Sequence, residues 1–315
     1  MTAVPPVELH NDALRLVVDA DHGAGILAFS ALADDSWLPL MPDARSPDCD
    51  LACASFLMIP YSNRIENGAF TFAGRTYQLA NADGHAIHGD TRKRRWTVIQ
   101  QSEKALRCRF SSTEHDHVNW PWPFAAEATF EVRDKQLLLG ARLTNLGDAA
   151  MPAGFGWHPY FSRALRREGE PVALQFALEG AYPDAHDTRI PSGPLAALEP
   201  HQDFGREKAL APDNFLDSCC HGFAGGHITW PESGVRLHLA AADNCRHLVL
   251  YNPAGKPYFA VEPVTNANNG VNLLAQGDPT CGTISLEPGA SLESGCSVTG
   301  MAVAGIHAPT TWWTQ

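Results

Sequence analysis

Five short segments of the sequence bring together side chains that can hold a polar ligand and move protons. They are residues 60–65 (PYSNRI), 85–90 (HAIHGD), 157–161 (WHPYF), 214–217 (NFLD) and 261–265 (VEPVT). Together they supply a carboxylate, two or more imidazoles, a guanidinium and stacking rings. This inventory suits the binding of a neutral polyol and proton transfer to and from its oxygens.

Each of these residues also has an ordinary structural use. Glu262 could be a surface carboxylate at a strand end, since Pro263 follows it. His158 could be packed among its aromatic neighbours and bonded to the backbone. Turns, loops, surface ion pairs and helix caps could account for the remaining candidates, which are Asn63, Arg64, His88 and Asp217. Residue type alone leaves both interpretations open.

The order of these motifs resembles that of the aldose 1-epimerases of the galactose-mutarotase type. In that family an N-R-I segment and a G-x-F are followed by H-G, H-P-Y-F, an aspartate loop and E-P-x-T. The matching residues here are Asn63-Arg64-Ile65, Gly68-Ala69-Phe70, His88-Gly89, His158-Pro159-Tyr160-Phe161, Asp217 and Glu262-Pro263-Val264-Thr265. The resemblance covers most of the chain, and the ordered set is more specific than any of its motifs.

The resemblance implies an isomerase that exchanges the α and β anomers of a free aldose without a cofactor or a metal. It makes Glu262 the base that takes the proton from the anomeric hydroxyl and His158 the acid that protonates the ring oxygen. It also implies that four residues bind sugar hydroxyls, namely Asn63, Arg64, His88 and Asp217.

The chemistry of ring opening agrees with these roles. Opening a hemiacetal requires one proton removed at O1 and one delivered to O5, and reclosure on the other carbonyl face inverts C1. One positioned base and one positioned acid are enough for this reaction. An ionised Glu262 and a protonated His158 would give a bell-shaped pH dependence, with the acidic limb from Glu262 and the basic limb from His158.

Three positions depart from the family pattern or match it loosely. Asp90 follows His88-Gly89 where many members have another glycine. His85 lies close enough to His88 to compete for the role of binding histidine. Asp217 is matched only by its expected loop.

Two functions of other classes fit parts of the sequence. His115 and His117, if they lie on a strand, would point to the same side and could bind a metal ion. A non-catalytic sugar-binding protein would keep Arg64 and the aromatic residues but would not need both Glu262 and His158.

A third alternative is a 1-epimerase for an anionic hexose, such as a 6-phosphate or a sulfonated sugar. Such a substrate needs fixed cations near C6. Arg64 could supply one, and others could come from the basic cluster at residues 92–95 or from the group Arg163, Arg166 and Arg167. The sequence does not show whether these side chains converge.

The elements that must position these residues are predicted to be strands. Hydrophobic alternation with period two marks residues 14–19, 136–143, 235–239, 247–251 and 283–286. The 26 glycines and 23 prolines punctuate the chain as turns, and helical periodicity is limited to residues 48–56 and 162–168. We expect an all-β fold, a large antiparallel β-sandwich with few short helices, in a single domain over residues 1–315.

Charge and composition narrow the classes of partner. Lys+Arg 23 against Asp+Glu 35 gives a net charge of −12, which repels nucleic acid and anionic membranes. The N-terminal residues show no export signal, and the eight cysteines show no C-x-x-C pair. We therefore expect a cytoplasmic protein with reduced thiols that binds neither nucleic acid nor a membrane. Its partner is the small sugar that the family resemblance implies. Oligomeric state is left open.

Overall fold

The computed structural model describes residues 4–80 and 84–302, and nearly all regular structure within them is β-strand. The first thirteen strands are β1 (Val7–His10), β2 (Leu14–Asp19), β3 (Gly25–Ala33), β4 (Ser36–Met41), β5 (Leu57–Met58), β6 (Arg64–Ile65), β7 (Ala69–Phe72), β8 (Arg75–Gln78), β9 (Ala86–Ile87), β10 (Thr97–Gln101), β11 (Ala105–Ser111), β12 (Phe124–Arg133) and β13 (Gln136–Asn145).

The second part of the chain continues in the same manner. Its strands are β14 (Met151–Ala153), β15 (Gly156–Trp157), β16 (Tyr160–Ser162), β17 (Ala173–Phe176), β18 (Gly180–Ala181), β19 (Lys208–Ala209), β20 (Leu216–His221), β21 (Gly226–Trp230), β22 (Val235–Ala241), β23 (His247–Asn252), β24 (Tyr258–Val264), β25 (Ile284–Leu286) and β26 (Ser291–Ala302). The helical elements of the described residues are α1 (Gly270–Ala275) and two 3₁₀ turns, Glu66–Gly68 and Ser112–Glu114.

Two large antiparallel sheets dominate the fold. One has nine strands in the order β10-β11-β12-β13-β26-β22-β21-β17-β19. The other has seven strands, in the order β18-β20-β23-β24-β15-β5 with β16 also paired to β24. Strands β1 to β4 form a four-stranded sheet, and three two-stranded ladders join β14 to β25, β6 to β9 and β7 to β8.

The core lies between the two large sheets. Strand β12 buries alternate residues, Phe124, Ala126, Ala128, Phe130 and Val132, because successive side chains of a strand point to opposite faces. Across the core, the ring of Phe130 meets that of Trp157 edge-on at 5.6 Å between centroids. Such packing of inward-facing side chains from two sheets is that of a β-sandwich.

The other face of the seven-stranded sheet carries polar side chains. Directly opposed residues of an antiparallel pair point to the same face. In this sheet Glu262 opposes Val249, Ala260 opposes both Tyr251 and Tyr160, and Tyr251 also opposes Asp217. Residues two apart on one strand share a face as well. The same face of the sheet therefore carries four polar side chains, those of Tyr160, Asp217, Tyr251 and Glu262.

The expected all-β class and antiparallel β-sandwich are confirmed, and each predicted strand segment contains a strand. The two predicted helices are wrong. Between residues 48 and 56 the carbonyl groups of Ala54 and Phe56 accept from Tyr160 and His158, so the backbone pairs with another segment instead of with itself. Residues 162–168 begin in β16, where Ser162 pairs with Tyr258.

Two further sequence-based expectations concern the whole chain. All eight cysteines are free, and six of them are buried. Within residues 4–80 and 84–302, no helix has the length and apolar character needed to cross a bilayer.

Candidate active site

His158 and Glu262 are in direct contact at the centre of the candidate site. Nε2 of His158 lies 3.1 Å from Oε1 of Glu262, and the two side chains are only 5% and 2% exposed. His158 follows β15, and its backbone N–H donates to the carbonyl of Phe56 at 2.9 Å. Because β15 pairs with β24 through Gly156 and Val264, neighbouring strands hold the two side chains together.

Each member of this pair has a second polar atom, which is also buried. Nδ1 of His158 and Oε2 of Glu262 are buried and make no hydrogen bond to the described residues, and the same is true of Nδ1 of His88. Buried polar atoms in proteins are nearly always bonded. Three such atoms in one cluster point to a polar ligand.

Burial drives both members of the pair toward their neutral forms. It raises the pKa of Glu262 well above its ordinary value, an effect that the charge of Asp217 increases and that of Arg64 opposes. Burial also lowers the pKa of His158 to about 3, and the nearby charges of Arg92 and Arg64 contribute to this lowering. The pair therefore holds one proton over a wide pH range.

The imidazoles of His158 and His88 both lie against the ring of Phe56. Their centroids are 4.5 Å and 5.3 Å from that of Phe56, and the two imidazoles are 5.1 Å apart. The backbone of His88 has a φ of 64°, and its N–H donates to the carbonyl of Asn63 at 2.7 Å. Burial, followed by the charge of His158, lowers the pKa of His88 well below its ordinary value, so this imidazole is neutral.

His85 is used differently from His88. Its Nδ1 accepts the backbone N–H of Asn67 at 3.0 Å, which ties the imidazole to the 3₁₀ turn Glu66–Gly68. Of the two histidines that the sequence left in competition, His88 is therefore the one beside His158.

Arg64 enters the site from the ladder between β6 and β9, and Asn63 directly precedes that ladder. Arg64 opposes Ile87 in this ladder, and its Nη1 donates to Oδ1 of Asn63 at 3.0 Å. The charge of Arg64 lowers the pKa of both Glu262 and Asp217, so it acts on the two carboxylates of the site.

Asp217 lies within strand β20 and not in the loop expected from the sequence. Its place opposite Tyr251 in the ladder puts the carboxylate on the polar face of the sheet. Nε of Arg189 donates to Oδ2 of Asp217 at 2.9 Å. Burial raises the pKa of Asp217, and the charges of Arg64 and Arg189 oppose this rise. The structure thus brings all six predicted site residues into one cluster.

Several residues besides the six predicted ones belong to the cluster. Tyr160 lies beside His158 with 4.6 Å between ring centroids, and Phe56 supports both imidazoles. Arg189 orients Asp217, and the guanidinium of Arg92 lies 5.3 Å from the centroid of Phe56. Tyr160 stands inside the H-P-Y-F motif, which was a usable signal. Arg92 belongs to the basic cluster at residues 92–95 that the sequence offered for an anionic substrate, whereas Phe56 and Arg189 carry no local signal.

The histidine pair considered as a metal site does not lie on a strand. Strand β11 ends at Ser111, and a 3₁₀ turn precedes His115, whose ring stacks on Phe110 at 4.7 Å. Glu114 binds Arg109 at 2.7 Å and is thereby occupied. In the part of the chain that the structure describes, no three or more His, Cys, Asp or Glu side chains are grouped to hold a metal ion.

Comparison with known proteins gives a consistent family match. The family model described as Aldose 1-epimerase matches residues 5–299. The uncharacterized protein YphB of Escherichia coli K12 is 24% identical over 274 residues, which cover 82% of this chain and 88% of YphB. An aldose 1-epimerase of the same organism is 30% identical over 163 residues, which cover 49% of this chain and 46% of that enzyme.

Solved structures show the same fold. A galactose mutarotase-like protein from Clostridium acetobutylicum superposes with a TM-score of 0.82 at 20% identity, covering 95% of each chain. A putative aldose 1-epimerase from E. coli K12 gives a TM-score of 0.81 at 22% identity, covering 95% of this chain and 99% of that one.

Proposed function

The chain belongs to the aldose 1-epimerase family, and we propose that it interconverts the α and β anomers of a free aldose by acid–base ring opening and closure. The observation that carries the proposal is the buried contact of 3.1 Å between His158 and Glu262. O1 and O5 of a cyclic sugar are both bonded to C1, so an adjacent base and acid can serve the two oxygens at once.

In the forward half-reaction, Glu262 takes the proton from the O1 hydroxyl while His158 delivers a proton to O5. The C1–O5 bond breaks, O1 becomes a carbonyl oxygen and O5 becomes a hydroxyl. Rotation about C1–C2 then presents the other carbonyl face. In the reverse steps O5 attacks C1, His158 recovers its proton and Glu262 returns one to O1, so no proton is gained or lost.

The pair has the right number of protons for this cycle. Burial favours a protonated Glu262 and a neutral His158, whereas the reaction starts from the ionised carboxylate and the imidazolium. These two forms contain the same single proton and differ by its transfer across the 3.1 Å contact. Hydrogen bonds from the sugar and the charge of Arg64 would stabilise the ionised form of Glu262.

We assign the binding of sugar hydroxyls to the four polar groups around the pair. Arg64 and Asn63 offer donors and an acceptor, the neutral imidazole of His88 can do either, and the Asp217 carboxylate accepts. Nε of Arg189 donates to the same carboxylate and helps to fix it in place. A cluster of fixed donors and acceptors over aromatic rings is the usual composition of a sugar site.

The proposal requires neither cofactor nor metal, because moving protons between oxygens involves no redox or phosphoryl chemistry. A non-catalytic sugar-binding protein is less well supported, because binding alone does not require an acid and a base side by side, and the burial of both groups is costly. We propose the cytoplasm as the location, a reducing compartment in which eight free cysteines would persist.

Exchange NMR on the purified protein tests the activity. Saturating one anomeric proton of glucose, galactose or xylose should transfer magnetisation to the other anomer faster with enzyme than without it. Chelator treatment should leave the rate unchanged. Tight binding of a sugar without any acceleration would favour the non-catalytic alternative.

A further inference from the structure

One cation, Arg92, lies close to the proposed acid. The guanidinium of Arg92 lies 5.3 Å from the ring centroid of Phe56, and the same ring stacks on His158 at 4.5 Å. Within residues 4–80 and 84–302, Arg92 has no side-chain hydrogen bond or ion pair. The nearby carboxylates are occupied, since Asp19 binds His22 at 2.7 Å and Asp90 binds Arg94 at 2.6 Å.

The other basic residues considered from the sequence are directed elsewhere. Lys93 is exposed. Each of the remaining basic side chains binds another part of the protein. Arg94 binds Asp90, Arg95 binds Asp21, Arg163 binds Asn252 and the carbonyl of Leu210, Arg166 binds Asp34, and Arg167 binds Glu232. Of these candidates, Arg92 and Arg64 are the two whose charges lower the pKa values of His88 and His158.

The covalent structure of the sugar indicates which of its substituents would lie near Arg92. His158 is the group proposed to protonate O5, which is bonded to C5, and C5 carries C6. A substituent on C6 therefore lies on the His158 side of the pair. Arg92 is on that side too, because its guanidinium lies over the ring of Phe56, against which the imidazoles of His158 and His88 also lie.

We infer that Arg92 receives an anionic group on C6, so that the preferred substrate is an anionic aldose such as a hexose 6-phosphate, a 6-sulfonated hexose or a hexuronate. The inference rests on the proposed function. A guanidinium binds oxyanions through paired, charge-assisted hydrogen bonds. A bound anion would also offset the charge of Arg92, which lowers the pKa of His158, and would thus favour the protonated acid.

The test compares sugars that differ only at C6. Anomer exchange is measured by NMR for glucose, glucose 6-phosphate, 6-sulfonated glucose and glucuronate with the wild type, Arg92→Gln and Lys93→Gln. The wild type should show a kcat/KM for its best anionic sugar about 10- to 100-fold above that for glucose, the value of one charge-assisted contact. The three anions together identify which oxyanion is preferred.

The two variants distinguish recognition of the anionic group by Arg92 from a purely structural role of Arg92 beside Phe56. Arg92→Gln should reduce the ratio of kcat/KM for the anionic sugar to that for glucose by about 10- to 100-fold. Lys93→Gln, which removes the same charge from the adjacent exposed residue, should leave the ratio unchanged. A wild-type ratio near one would overturn the inference. So would an Arg92→Gln variant that slows all four sugars equally, because Arg92 would then only support Phe56.

Failure of this inference is distinct from failure of the proposed function. Catalysed exchange of glucose that depends on Glu262, without any preference for an anion, would overturn the inference alone. Lack of catalysed exchange for every sugar would overturn both.

Discussion

At the scale of single residues, the proposed chemistry depends on a contact between side chains that are far apart in the chain. The motif order singled out Glu262 and His158, and their roles stay a proposal. Their 3.1 Å contact and their shared burial could not be predicted, because both depend on the pairing of β15 with β24. The stacking of Phe56 on His158 was unpredictable for the same reason.

Burial changes the pH dependence expected from ordinary pKa values. The active form of the pair of Glu262 and His158 holds one proton. At low pH the pair gains a second proton, and at high pH it loses the one it holds. Below about pH 3, the lowered pKa of His158, a second proton enters, and above the raised pKa of Glu262 the last proton leaves. The acidic limb of kcat/KM should thus belong to His158 and the basic limb to Glu262, the reverse of the order expected from the sequence.

A pH profile from 4 to 10 with a neutral aldose checks this order. We expect no limb near pH 6.5, the ordinary pKa of a histidine, and a basic limb that is absent from the residual activity of Glu262→Gln. Because coupled groups titrate as a pair, the loss of a limb in a variant is more informative than its midpoint. A limb near pH 6.5 that disappears in His158→Asn would contradict the account.

Arg64 should act mainly through binding. Arg64→Ala removes donors to the sugar that act in the ground state and the transition state alike, so KM should rise about tenfold or more while kcat changes less. Arg133→Ala, which breaks an exposed ion pair with Glu131, is the matched control and should change neither constant. Steady-state kinetics checks both variants. A large loss of kcat at unchanged KM would contradict a binding role.

At the scale of elements, alternation in the sequence located five of the strands. Alternation over four to eight residues marked β2, β13, β22, β23 and β25, whereas two-residue strands such as β6 and β15 are too short to show a period. Asp217 was expected in a loop, but β20 pairs with β23 and includes it. The helices predicted from weak periodicity failed because their backbone groups found partners in other segments.

Gly89 should be the residue on which the placement of His88 depends. Its φ is +64°, and a Cβ there would lie 1.9 Å from the carbonyl oxygen of Ile59. Gly74 has a similar φ of +74° with no atom within 4 Å of such a Cβ. Gly74→Ala should cost about 1–2 kcal/mol of unfolding free energy through strain alone, and Gly89→Ala about 1–3 kcal/mol more from the clash.

Urea unfolding measures both costs. Gly89→Ala should also lower kcat/KM, since the backbone shift would move His88 away from His158, while Gly74→Ala should leave kcat/KM unchanged. Equal stability and activity of the two variants would show that the approach of Gly89 to Ile59 is unimportant.

At the scale of the whole molecule, the sequence predicted the all-β class but not the strand order. That order depends on pairings between distant segments, such as β13 with β26, which no local pattern encodes. Contacts link the separate sheets to one another. Trp230 donates to the carbonyl of Ser162 across the core at 3.1 Å, and Ile26 bridges the N-terminal sheet to Ser55.

We propose from these links that residues 1–315 form one domain and unfold as one unit. Calorimetry should then give a single transition whose calorimetric and van't Hoff enthalpies agree. Two resolved transitions, with the N-terminal sheet melting apart from the rest, would contradict a single domain.

The kcat of Glu262→Gln at saturating sugar tests the central claim most directly, because the amide keeps the shape of the carboxylate and cannot take the proton from O1. Anomer exchange by NMR measures it, with circular dichroism and urea unfolding as controls for folding. We predict a fall in kcat of about two to four orders of magnitude, the contribution of a positioned base, in a variant that folds normally. Near-full exchange by the folded Glu262→Gln protein would contradict the account.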